Sequence, residues 1–201
     1  LTATERVLPK LALDFTTASL DSRVTFTRAT GTSNPATYVN SSGVVTTAIN
    51  NEPRFDYDPL ALTCKGLLIE ESRTNLLTRS SEFNNVTAWT PYQSSVSADS
   101  VICPDGTTTA DKLVENTATD VHSIARAATS GAAGAHTFSC FAKAGERTWV
   151  VLRISGINTF FNLSTGQKGT VGSGVTANIE PFSGGWYRCS VTYTLAAATA
   201  C

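Results

Sequence analysis

Along the second half of the chain, apolar and polar residues alternate with a period of two, the pattern of strands with one face buried. In "WYRCSVTY", Tyr187, Cys189, Val191 and Tyr193 fall on one face, and Trp186, Arg188, Ser190 and Thr192 on the other. In "HTFSCFAK", Phe138, Cys140 and Ala142 share a face. Helical periodicity is scarce. Short runs rich in Val, Thr, Phe, Tyr and Trp recur between Gly, Asn, Asp and Ser turns, which predicts strands at 92–97, 110–115, 121–127, 135–143, 147–154, 158–163, 175–180 and 186–195. Eight strands at this spacing predict a two-sheet sandwich of jelly-roll type.

The leading part is less regular. "RVTFTR", "ATYVN", "GVVTTA" and "GLLIE" are short strand candidates separated by turns such as "NSSG" and by links containing Pro35, Pro53 and Pro59. Runs this short do not describe a self-sufficient sandwich. The expectation is an all-β protein: an extended, irregular N-terminal arm with short strands over 1–80, then a jelly-roll sandwich over 81–201. Such an arm completes its backbone pairing only where another edge accepts it, which favours an assembly over a lone monomer.

Charge distribution sharpens the boundary. Residues 51–80 carry nine charged side chains, while the 121 residues from 81 onward carry fifteen, so the division is placed near "TRSSEFNN". The whole chain has a net charge of -1, which leaves no basic footprint for nucleic acid or an anionic membrane. No apolar run approaches the length of about 20 residues that a spanning helix needs. Neither nucleic-acid binding nor membrane insertion is expected.

The charge-dense block "NEPRFDYDPLALTCKGLLIEESRTNLL" holds the first candidate site. Glu52, Asp56 and Asp58 are oxygen donors of the kind that Ca2+ favours, though they lack the remaining acids and the glycine of an EF-hand loop. The alternative is structural: Arg54 and Arg73 pair with Glu52, Asp56, Asp58 and Glu70 and pin an irregular segment, a task suited to the planar guanidinium. The structural reading is preferred, with a structural Ca2+ as the second and no other cofactor. Catalysis is the least supported. Asp56 and Asp58 fall on one face of any strand without an aromatic-lined cleft beside them, and neither His122 nor His136 lies near a nucleophile turn.

Five cysteines, Cys64, Cys103, Cys140, Cys189 and Cys201, are widely spaced and form no CxxC pair, which argues against zinc and a disulfide scaffold. Reduced thiols are expected, with Cys140 and Cys189 as small buried hydrophobes. The glycines of "FNLSTGQKGTVGSG" lack the ending of a phosphate loop and read as hairpin turns. Aromatic rings exposed on a sandwich can stack on sugar faces, whereas buried ones are core packing. Trp89, Tyr92 and Trp149 are the candidate glycan contacts.

Several blocks together resemble a family of tailed-bacteriophage virion proteins, the fibre, spike or appendage subunits of head or tail. They are "LPKLALDFTTASLDSRVTFTRATGTSNPATYVNSSGVVTTAINNEPRFDYDP", "GLLIEESRTNLL", "FNLSTGQKGTV" and "IEPFSGGWYRCSVTYT". The resemblance covers residues 8 to 195. It implies a jelly roll similar to carbohydrate-binding modules, no enzymatic activity, and assembly in the bacterial host cytoplasm into a virion. Its implied partners are other virion proteins, sister copies in a homo-oligomer (a trimer favoured) and a cell-surface glycan. The rival readings are a stand-alone carbohydrate-binding module and, less favoured, a polysaccharide depolymerase. The resemblance also leads one to expect further sequence beyond "TYTLAAATAC".

Overall fold

A computed structural model of the chain describes residues 13–28, 36–126, 130–196 and 199–200. It is all-β, and the chain divides into two compact units, Leu1–Ser72 and Arg73–Cys201. The division falls a few residues ahead of the charge boundary at residue 80.

The first unit contains a 3-10 turn, Phe15–Thr17, and four short strands: β1 (Thr37–Val39), β2 (Val45–Thr47), β3 (Phe55–Tyr57) and β4 (Cys64–Leu67). β1 and β2 form one antiparallel hairpin, and β3 and β4 another. The β1–β2 turn is "NSSG". Asn40 Oδ1 accepts the N–H groups of Ser42 and Val44, and Gly43 adopts φ +75°, where a Cβ would stand 2.7 Å from the Pro59 carbonyl oxygen. Only glycine meets both conditions. The extended arm predicted here is therefore a folded unit with its own hydrogen bonds, although its strands are as short as expected.

Two of the predicted runs differ. "RVTFTR" forms no strand in its described residues, 23–28. Arg28 instead clasps the 49–52 turn, donating its N–H to Asn51 Oδ1 and its side chain to the Ile49 and Glu52 carbonyls. "PRFDYDP", expected to cross the surface with its charges paired, supplies β3. Its partner β4 starts at Cys64 and ends at Leu67, and Ile69 beyond it is 81% exposed.

In the second unit, β5 (Thr90–Tyr92), β6 (Ser94–Val101), β7 (Ala110–Glu115) and β8 (Ser123–Ala125) make two ribbons, β5–β8 and β6–β7. The run predicted as a single strand over 92–97 is broken because Gln93 has φ 49°, so the chain changes partner there. β9 (Ser130–Gly131), β10 (Gly134–Lys143), β11 (Trp149–Ile154), β12 (Ile157–Asn162), β13 (Gln167–Lys168), β14 (Val175–Pro181), β15 (Trp186–Leu195) and β16 (Thr199–Ala200) follow. They pair in the orders β10-β15-β14, β11-β12-β13 and β16-β9.

The core lies between the two three-stranded sheets. Leu152, Ile154, Phe161 and Leu163 come from the β11–β12 side, and Ala177, Cys189 and Val191 from the other. Phe138, Cys140, Ala142, Tyr187 and Tyr193, placed inward by alternation, pack against this cluster. Trp186, on the opposite face of β15, is also buried and donates its indole N–H to the Ile102 carbonyl at 3.1 Å. Two-layer packing thus involves two three-stranded sheets. The all-β class is as expected, and the sheets are small and antiparallel.

Candidate functional site

The charge-dense block is built around backbone groups. Ala48 N–H donates to the Ala36 carbonyl and Asn40 N–H to the Val44 carbonyl, so the alternate residues Thr37 and Val39 turn their backbone groups away from β2. Asp56 Oδ1 accepts the Val39 N–H at 2.9 Å, and Arg54 Nη1 donates to the Thr37 carbonyl at 3.1 Å. Arg54 is buried and pairs with Glu70 at 2.6 Å, while its Nε is buried without a hydrogen-bond partner.

The other acids serve separate stretches. Glu52 accepts the Ile49 N–H and the Tyr38 hydroxyl, and burial together with the Glu52 charge raises the Tyr38 pKa. Asp58 accepts the Leu60 and Ala61 N–H groups at the β3–β4 turn, and these bonds hold its pKa below the usual carboxylate value. Lys65 lies 4.0 Å from Asp56. Arg73 is exposed and belongs to the second unit by the division of the chain. The carboxylates are thus committed to different backbone segments. Among the described residues no group of three or more His, Cys, Asp or Glu is gathered to hold a metal.

The three aromatic candidates have different settings. Trp89 is 4% exposed, its indole N–H donates to the Arg79 carbonyl at 2.8 Å, and its ring meets Phe83 edge-on at 4.8 Å. A ring so enclosed has no free face to offer a sugar, so its candidacy is corrected to core packing. Tyr92 is 50% exposed, and its hydroxyl donates to Asp120 Oδ2 at 2.8 Å; that bond raises the Tyr92 pKa.

Trp149 is 52% exposed on the outer face of β11. Its ring lies over Gly169, where an added Cβ would come within 2.6 Å of the ring carbon Cζ3. Glycine at 169 is what lets the indole come this close to the backbone. Register places Asn162 opposite Trp149 and Gln167 opposite Asn162, so an indole and two amides form one row across the sheet. Val151 opposite Phe160 forms the adjacent row, and both are exposed. An apolar platform in line with the Gln167 amide is suited to a ligand with a C–H face and a hydroxyl rim, whereas Asn162 Oδ1 already accepts the Ser164 and Thr165 N–H groups. Asn162 and Gln167 escaped sequence reasoning because their positions depend on the "NLSTGQKG" hairpin register.

The histidines have structural partners. His122 Nδ1 is 2.5 Å from the Gln93 carbonyl oxygen and its Nε2 3.9 Å from Glu115, while His136 Nδ1 is 3.1 Å from the Gly134 carbonyl oxygen. Burial pushes the Cys140 thiol up to about 11 and the Cys189 thiol up to about 12, which keeps both protonated at neutral pH.

No protein-family model matches the chain, and no curated protein matches it.

Proposed function

We propose that the chain is a non-enzymatic structural component of a bacteriophage virion appendage, assembled with other virion proteins and sister copies, and that its second unit attaches to a host-surface glycan. The first unit serves as the anchoring end. The observation that carries the attachment reading is the Trp149 row: a half-exposed indole close over Gly169, with Asn162 and Gln167 in register across the same sheet. The virion setting rests on the "NEPRFDYDP" and "GLLIEESRTNLL" blocks and their resemblance to appendage subunits.

The test is a glycan array probed with wild type and Trp149→Ala, alongside mass measurement in solution. Binding to bacterial surface polysaccharides that disappears in Trp149→Ala supports attachment; no binding by wild type, or full binding by the variant, overturns it. A monomer at micromolar concentration counts against assembly. Detecting the chain in purified particles distinguishes a virion component from a stand-alone carbohydrate-binding module.

A further inference from the structure

Cys140 and Cys189 stand directly opposite one another where β10 pairs with β15. Opposed residues in an antiparallel pair share a face, and here that face is the core: Cys189 is fully buried and Cys140 packs against the same cluster. Phe182 N–H donates to the Trp186 carbonyl, one step beyond the opposed pair Pro181 and Tyr187. Even-numbered residues of β15 therefore direct their backbone groups to β14, and Cys189 directs its own to β10. Cys140 and Cys189 form a hydrogen-bonded pair, with Cα atoms about 5.5 Å apart, inside the span of about 4.4–6.8 Å that a disulfide bridges. Opposed Cβ atoms stand about 4.5–5.5 Å apart, and a disulfide draws them to about 3.5–4.5 Å. A hydrogen-bonded pair sits at the wide end of the first of these ranges, so closure draws the two strands together by about 1 Å or more, a movement made easier by the edge position of β10.

We propose that Cys140 and Cys189 are a cross-strand dithiol that closes reversibly to a disulfide when the protein meets a small-molecule disulfide such as oxidised glutathione. The raised thiol pKa values keep the pair inert while the sheet is closed. β10 is an edge strand, bonded in its sheet to β15 alone, so its local opening exposes Cys140. The Cys140 thiolate attacks the oxidant, breaking its S–S bond and releasing one glutathione, which takes up a proton. The Cys189 thiolate then attacks the Cys140 sulfur and expels the second glutathione. Two cysteine thiols are oxidised, one glutathione disulfide is reduced to two thiols, and the cysteine protons end on those thiols. The new bond ties the edge strand to the central strand of its sheet.

The experiment uses the full chain carrying Cys64→Ser, Cys103→Ser and Cys201→Ser, so that only the opposed pair remains. It is incubated with oxidised glutathione in native buffer and again in sub-denaturing urea, then alkylated after unfolding and weighed intact. The expected product is a single chain lighter by two hydrogens with no alkylatable thiol, restored by reductant. Adding Cys140→Ser is expected to leave Cys189 either alkylatable or carrying one glutathione. The proposal is overturned if both thiols stay alkylatable under both conditions, if each carries its own glutathione, or if the cross-link joins two chains.

Discussion

The Asp56 carboxylate accepts the Val39 N–H at 2.9 Å, and two residues earlier the Arg54 guanidinium donates to the Thr37 carbonyl at 3.1 Å. Both backbone groups lie on the open edge of β1. Alternate side chains around β3 thus do for that edge what the backbone of a third strand would do. Unpaired strand edges are templates for pairing with other chains. At β1 two of the edge's outward groups are met from within the same unit, which leaves less of this edge to pair with another chain.

Asp56→Ala removes the acceptor and leaves the Val39 N–H unmade beside a buried side chain. The expected cost is about 1–3 kcal/mol, while Asp56→Asn, which keeps an acceptor oxygen, costs within about 1 kcal/mol. Urea unfolding reads the stability, and amide exchange at Val39 reads the bond itself. Unchanged Val39 protection in Asp56→Ala would show that the carboxylate does not hold this edge.

Strand positions in the second unit were legible wherever alternation was clean. The run at 186–195 coincides with β15, where burial of Cys189 and Val191 on one face leaves little freedom of register, and the run at 110–115 coincides with β7, whose burial does not alternate. Reading failed where side chains replace backbone pairing. Nothing local in "PRFDYDP" announces that Arg54 and Asp56 reach across to β1, since that depends on how two hairpins meet. Trp89 misled for a related reason: its enclosure depends on the Arg79 carbonyl and Phe83, which reach it through an irregular turn with no periodic signal. The Trp149 row required knowing that Gly169 lies under the ring.

Phe160 and Phe161 are neighbours on β12 with opposite fates, 37% and 0% exposed. Phe161→Ala opens a cavity between the two three-stranded sheets and is expected to cost about 3–5 kcal/mol. Phe160→Ala is expected to stay within about 1 kcal/mol, as a partly exposed position without a cavity. Equal destabilisation of the two variants in thermal or urea melts would contradict the assigned facing of β12.

Glu115 accepts from Arg147 Nε and Nη2 at 2.9 and 2.6 Å, joining the end of β7 to the turn ahead of β11. The Arg147 hydrogen bonds lower the Glu115 pKa from 4.5. A lowered carboxyl pKa means that the contribution is whole above 4.5 and is lost as pH falls through the folded value. Both groups are solvent-exposed, so salt is expected to weaken it. An NMR titration of the Glu115 carboxyl is expected to move upward towards 4.5 in Arg147→Ala, and no movement would mean that Arg147 is not its cause.

Gly169 separates the geometry of the Trp149 platform from its chemistry. Trp149→Ala removes the platform itself, and because the ring is half exposed the fold is expected to survive. Gly169→Ala changes no functional group on the outer face, yet its new Cβ would stand 2.6 Å from the ring carbon, so the indole must lift or turn. If a sugar stacks on this ring, both variants weaken binding, Trp149→Ala by tenfold or more, equivalent to at least about 1.4 kcal/mol. Gln167→Ala, which leaves the ring in place, is expected to shift selectivity among glycans more than overall affinity, because the amide reads hydroxyl positions. Near-ultraviolet circular dichroism reports whether the indole has moved in Gly169→Ala. A moved indole with unaltered glycan affinity would show that Trp149 is not a glycan contact.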